Sequence, residues 1–123
     1  MIPREKIIIT SGTYDPLTLE DISFLRECKK RGDWLVVGVH SDWWMCFVEG
    51  GFVQSFNSRS QIVESLSVVD EVFKFNDTDG TVCQLLKLVK ICYPNTQITY
   101  LSKDDMTGQP EAKIRGITFE TLK

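Results

Sequence analysis

The residues best able to do chemistry gather early in the chain. Ile7-Ile8-Ile9-Thr10 runs into Ser11-Gly12-Thr13-Tyr14-Asp15-Pro16 and then into Leu17-Thr18-Leu19-Glu20-Asp21. A β-branched apolar run, a glycine-containing turn and an amphipathic stretch make a strand, a loop and a helix, the order that aims backbone N–H groups at a phosphate. Ser11, Gly12, Thr13, Tyr14 and Asp15 are therefore candidates to shape an anion-binding loop, against the plainer reading of a turn that ends a strand. Thr18, Glu20 and Asp21 read first as helix-capping residues. The sharper alternative is that Asp15, Glu20 and Asp21 gather a divalent cation, because hard cations take carboxylate oxygens.

Two further side chains carry chemical potential. His40, the sole histidine, ends a second apolar run and so points toward the same end of a sheet, where it could donate to a phosphate, act as general acid or base, or serve as a hydrogen-bonded structural residue. Arg59 is the best cation for an anion contact, and pairing with Asp42 or Glu49 is its equal alternative. The dense patch Trp43, Trp44, Met45 and Phe47 is too large to bury on one short helix, and neighbouring tryptophans diverge by about 100° on a helix. One of the two is expected inward and the other at a crevice or an interface.

The elements that must hold these residues alternate. Lys6–Thr10 reads as a strand, Asp21–Arg31 as a helix with Ile22, Leu25 and Cys28 on one face, and Trp34–His40 as a strand buried on both faces. Ser41 or Asp42 caps a short helix, and Asn57–Leu66 is helical with Ile62, Val63 and Leu66 inward. Val69–Phe75 is a third strand, Val82–Cys92 a helix stopped by Pro94, and Ile98–Leu101 a fourth strand. A helical turn near Pro110–Ile114 and a strand at Ile117–Glu120 complete the series. Alternating strands and helices predict an α/β, Rossmann-like, doubly wound parallel sheet in one domain over 1–123. Its loops after Thr10, His40, Phe75 and Leu101 should surround one crevice.

Composition narrows the function. The chain has 123 residues, 42% hydrophobic and 25% charged, with a net charge of −3 and pI near 5.1. An acidic surface argues against nucleic-acid binding, which wants a basic face. No apolar run approaches the roughly 20 residues of a membrane span, and Met1-Ile2-Pro3-Arg4-Glu5-Lys6 lacks the apolar centre of a signal peptide. Cys28, Cys46, Cys83 and Cys92 have no metal-ligand spacing and read as reduced core fillers of a cytoplasmic protein.

Taken in order, these segments resemble the cytidylyltransferase-like nucleotidyltransferase family, which includes glycerol-3-phosphate cytidylyltransferases and the nucleotidyltransferase domains of sugar-nucleotide synthesis. The family loop G-x-F-D-P-x-H-x-G-H is matched by Gly12 to Asp21, and L-V-V-G-x-x-S-D-x-W by Leu35 to Trp44. An F-x-x-R segment is matched by Phe56 to Arg59, V-D-E-V by Val69 to Val72, and D-D-S-D-G-T-V-C by Asp77 to Cys83. The resemblance implies attack by a phosphate oxygen on the α-phosphorus of a nucleoside triphosphate, with pyrophosphate released. It also implies a nucleotide at Ser11, Gly12, Thr13, Tyr14, Asp15, His40, Asp42 and Arg59, Mg2+ with CTP or ATP, no metal ligand of the protein's own, and a homodimer, here through Trp43 and Trp44.

The chain departs from the family at the reacting groups. The two histidine positions hold Thr18 and Asp21, with Glu20 at the intervening glycine; Cys46, Phe47, Val48 and Glu49 stand where a lysine is common. The G-G-D-R turn becomes Ser102-Lys103-Asp104-Asp105, and Arg115-Gly116-Ile117-Thr118 has the wrong spacing for the R-T-x-G-I-S segment. An aspartate facing a triphosphate is a like charge. The expectation is a degenerate, catalytically impaired member that works by binding a nucleotide or phosphorylated ligand, or by assembly with a partner. The alternative is an active enzyme moving a nucleotidyl group from CTP or ATP to a small phosphorylated substrate, with His40, Thr18 and Arg59 as catalytic candidates.

Overall fold

The first apolar run of the sequence becomes the central strand of the sheet. In the computed structural model, which describes residues 5–122, β1 (Lys6–Gly12) pairs in parallel with β2 (Trp34–Val39) on one side. On its other side it pairs in parallel with β4 (Gln97–Ser102). β3 (Glu71–Phe73) lies outside β2 and β5 (Ile117–Thr121) outside β4, so the order is β3-β2-β1-β4-β5 with every pairing parallel. Residues Met1 to Arg4, which carry part of the leader argument, lie outside the described residues.

The α/β doubly wound sheet read from the sequence is the observed architecture, and period-2 burial shows why. Ile8, Leu35, Val37 and Val39 point to one face and pack with Leu25 and Cys28 of α1 (Leu19–Lys29) and Val63 of α3 (Phe56–Glu64). Ile7, Ile9, Val36, Ile98 and Tyr100 point to the other and pack with Leu85, Leu86 and Val89 of α4 (Cys83–Cys92). Parallel strands buried on both faces need such continuous apolar runs. Among the described residues no helix is long and apolar enough to cross a membrane.

Local chemistry sets the element ends. α1 starts before Asp21, because Thr18 caps it; α2 (Asp42–Phe47) is capped by Ser41 and α3 by Ser55. β3 is shorter than Val69–Phe75: Val69 N–H turns back to Leu66 O, and Phe75 drops against the sheet face above Gly38. Ile62 is 37% exposed rather than inward, whereas Val63 is buried and Leu66 packs on the core. The cysteines are free thiols, but only Cys28 is a buried filler; Cys46 and Cys92 are exposed because each sits in the last turn of a helix on its outer side. α4 has no side-chain cap of its own, and the carboxylate of Glu111, on a 3-10 turn (Pro110–Lys113), accepts from Val82 N–H at 3.1 Å instead.

Gly38 shows how tightly α4 sits. A Cβ there would lie 2.4 Å from Leu85 Cδ2 and 2.9 Å from Phe75 Cε1. Gly38→Ala should lower the unfolding free energy by about 1–3 kcal/mol, as overpacking does in a closed core. A urea denaturation midpoint unchanged by this substitution would contradict so close a contact between helix and sheet.

Candidate functional site

The chain winds from β1 to β2 to β3 in one direction, then α4 carries it back to β4 on the far side of β1. The strand order thus reverses between β1 and β4, the place where open parallel sheets form ligand crevices beyond their carboxyl ends. A cleft of about 330 Å³ lies there, walled by Ser11, Gly12, Thr13 and Tyr14 from the first loop, by Asp21 and Phe24 from α1, and by Tyr100, Ser102, Lys103 and Asp104 from the end of β4.

The first loop has its shape because Tyr14 adopts a left-handed backbone, φ 52°, and tucks its ring beneath Gly12. A Cβ on Gly12 would come within 2.6 Å of that ring, so only glycine fits. Burial, reinforced by the nearby Asp21 charge, pushes the Tyr14 phenol far above its ordinary range. Tyr100 is likewise raised by burial, partly offset by its 2.8 Å hydrogen bond with Ser11 Oγ. Both phenols stay neutral, and the cleft is lined by hydroxyl groups and loop backbone able to hold a polar ligand.

The helix-entry residues settle as a capping box. Thr18 N–H donates to Asp21 Oδ2 at 2.9 Å, and Asp21 N–H donates to Thr18 Oγ1 at 3.2 Å. Two orphan donors of the helix start are satisfied reciprocally, and the Asp21 carboxylate is held on the cleft wall. Glu20 lines a neighbouring depression with Ser23 and Glu27, which shares Phe24 and Lys103 with the cleft. Asp15 is elsewhere again: its two oxygens accept from Val53 N–H and Gln54 N–H, each at 2.8 Å, which clasps the loop after α2. The three carboxylates of the alternative cation reading are thus separated, and the described residues contain no group of three or more His, Cys, Asp or Glu placed to hold a metal ion.

His40, Asp42 and Arg59 do not reach the cleft. The guanidinium of Arg59 is fully buried and donates from Nε to Gln54 O, from Nη1 to Thr13 O and His40 O, and from Nη2 to Asp42 Oδ1, at 2.8–3.0 Å. Asp42 Oδ1 also accepts from Phe56 N–H. Arg59 is therefore a structural tie, paired with Asp42 and not Glu49, and is not exposed to an anion. His40 is 6% exposed, sandwiched 4.0 Å from the Trp44 ring and 5.4 Å from Phe75, with Nδ1 2.9 Å from Asp77 Oδ2. Asp77 also accepts from Ser41 N–H and Ser41 Oγ. The loops after β2 and β3 thus bind each other, and only the loops after β1 and β4 wall the cleft. The tryptophans diverge as expected: Trp44 turns inward onto His40, and Trp43, 37% exposed, stacks on the exposed Phe47.

Against known proteins, no family model matches the chain. The bifunctional protein HldE of Helicobacter pylori is 30% identical over 122 residues, covering 95% of this chain and 25% of that protein. The chain thus spans about a quarter of the length of that curated relative. A crystal structure of the lipopolysaccharide core biosynthesis protein from Thermoplasma volcanium is 27% identical, with TM-score 0.70 over 97% of this chain and 94% of that one. The chain belongs to the cytidylyltransferase-like nucleotidyltransferase family. A bifunctional NMN adenylyltransferase/ADP ribose pyrophosphatase from Francisella tularensis, complexed with AMP and a manganese ion, shares the fold at TM-score 0.71 and 11% identity, covering 97% of this chain and 37% of that one. Within this family fold, the residues that stand at the histidine positions here are the two halves of a capping box.

The sequence placed the loop after Leu101 at the crevice and Asp77 in a matched segment, but singled out none of Tyr100, Lys103, Asp77 and Glu111 as site residues. Tyr100 and Lys103 line the cleft because β4 pairs with β1, a long-range adjacency; the strand order rule at a reversal was the available signal. Asp77 and Glu111 are buried carboxylates whose partners lie 36 or 37 and 29 positions away, and only tertiary packing brings those partners together.

The His40–Asp77 pair has a pH consequence. Burial lowers the His40 pKa despite the attraction of Asp77. For Asp77, burial pushes upward, but the bonds from Ser41 and His40 prevail and the pKa falls. Asp77 is therefore ionised and accepts from a neutral imidazole Nδ1–H. Both folded pKa values lie below the unfolded ones, so the unfolded chain binds more protons and stability falls with falling pH. The His40 part is lost below about pH 6.5, and the Asp77 part below about pH 4. His40→Asn keeps a donor for Asp77 and should flatten the urea midpoint between about pH 6.5 and pH 5. Equal slopes for the two proteins would show that His40 does not titrate on unfolding.

Proposed function

We propose that this chain binds a nucleotide or another phosphorylated small molecule in the cleft over β1 and β4 and does not itself transfer the nucleotidyl group. The observation that carries this reading is the Thr18–Asp21 capping box at the family's histidine positions, with the Asp21 carboxylate on the cleft wall. Attack on an α-phosphorus is catalysed by positioning and by neutralising charge that builds on phosphate oxygens. A carboxylate about 4 Å from a phosphate oxygen opposes that by several kcal/mol at the effective dielectric of a partly wet site. His40 and Arg59, the other catalytic candidates of the sequence, are committed to the loops behind the cleft.

The carboxylates do not fit a protein-held magnesium ion, because Asp15 has both oxygens on backbone N–H groups and one oxygen of Asp21 is in the cap. In this reading any Mg2+ arrives with the phosphates of CTP or ATP. The chain acts as a single cytidylyltransferase-like domain in the cytoplasm with its cysteines reduced, and it assembles as a homodimer through the exposed Trp43–Phe47 stack.

Isothermal titration with CTP, ATP, CMP and AMP should give saturable binding, while pyrophosphate release from CTP or ATP with glycerol 3-phosphate stays at background. Thr18→His with Asp21→His should raise release at least about tenfold if only these side chains were lost, since tenfold corresponds to about 1.4 kcal/mol of barrier. Steady pyrophosphate release by the unaltered chain would overturn the reading in favour of an active transferase. For assembly, light scattering should report a dimer that Trp43→Ala converts to a monomer with nucleotide binding intact; a monomeric unaltered chain would remove the dimer from the proposal.

A further inference from the structure

Lys103 takes the place of a glycine in the family's turn after β4, and it lines the cleft together with Asp21, one of the two residues that replace the histidines. Its neighbours hold the turn by their own bonds: Ser102 Oγ donates to Asp104 O, and the Asp105 carboxylate accepts from Thr107 N–H at 2.9 Å and Thr107 Oγ1 at 2.7 Å. The ammonium rests 5.1 Å above the ring of Phe24 on α1, so an aromatic face supports the cation beside the cleft. Among the described residues no carboxylate forms an ion pair with it, whereas Lys29 and Lys30 are paired with Asp70 and Glu27. It is also the one cation among the described residues that wall this cleft.

Resting on the binding function proposed above, we infer that Lys103 is the anion-recognising residue of the cleft and that it makes the site select ligands with one phosphate over nucleoside triphosphates. One ammonium matches one phosphate group, with the one hydroxyl proton left free in the Ser11–Tyr100 pair and loop N–H groups beside it. A triphosphate brings further negative charge against Asp21 and Asp104, which also line the cleft, with no second cation among the described lining residues to receive it. The specificity has moved from the start of α1, where the family uses histidines, to the end of β4.

The test is isothermal titration of the full chain with CMP, AMP, inorganic phosphate, and CTP and ATP without magnesium. The unaltered protein should bind CMP or AMP more tightly than the matching triphosphate. Lys103→Met should weaken monophosphate binding by about tenfold or more, the scale of one charge-assisted contact, while Lys103→Arg retains it within about threefold. Asp21→Asn keeps the cap acceptor and removes a negative charge, so it should tighten triphosphate binding relative to monophosphate. Monophosphate binding unchanged in Lys103→Met, or a triphosphate preference in the unaltered chain, would overturn this inference and leave the binding function standing. Absence of heat with every probe on the unaltered chain would overturn both.

Discussion

The guanidinium of Arg59 sits where four pieces of backbone would otherwise present unpaired carbonyls and charges to one another. From α3 it reaches the loop after β1 at Thr13 O, the end of β2 at His40 O, and the loop before its own helix at Gln54 O, with Asp42 Oδ1 as counter-ion. Because the guanidinium is planar and always charged, it can serve this set of acceptors where a lysine could not. Removing it would leave the carbonyls of Thr13, His40 and Gln54 without this donor, the costly way to break a buried set of hydrogen bonds, whereas Asp42, whose side chain is 41% exposed, keeps Phe56 N–H and solvent as donors. The position of Thr13, and so of the wall of the cleft, depends on this one side chain.

Around that tie the carboxyl end of the sheet divides into two halves with different duties. On the β2–β3 side, Asp77 gathers Ser41 and His40, Trp44 stacks on the imidazole, and Asp15 reaches across to hold Val53 and Gln54. These groups satisfy one another and offer little to a ligand. On the β1–β4 side the polar groups face an open cleft: Ser11, Tyr100, Asp21, Lys103 and Asp104. The chemistry available to the chain is therefore that of the second half, and it is rich in hydroxyl and backbone donors but poor in positive charge. That balance is the ground for the proposed binding role, because transfer needs positive charge where it builds on phosphate oxygens.

The capping box at Thr18 and Asp21 gives two residues beside the cleft a structural duty. A helix start needs acceptors for its first N–H groups, and Thr followed three residues later by a carboxylate supplies them reciprocally. The substitution thus gives α1 a well-formed beginning while placing a fixed negative charge beside Gly12. The loop glycine, Tyr14 and the ends of β1 and β4 still shape a cleft beside that cap.

Much of this was legible in the sequence. The alternation of continuous apolar runs with amphipathic stretches determined the parallel doubly wound sheet, because period and burial are local properties of Ile7 to Ile9, Leu35 to Val39, Leu85 to Val89 and Ile98 to Leu101. The cap at Thr18, the turn at Gly12 and the divergence of Trp43 from Trp44 were likewise readable, since each depends on neighbours within a few positions. What the tertiary structure alone decided was which polar groups meet. Arg59 and His40 stood at suitable strand and helix ends for an anion site, yet burial among carbonyls and beside Asp77 drew them into the scaffold; Lys103 read as a spoiled turn, yet the pairing of β4 with β1 put it on the cleft wall. Partners 17 to 91 positions apart are set by strand order and packing, which no local spacing encodes.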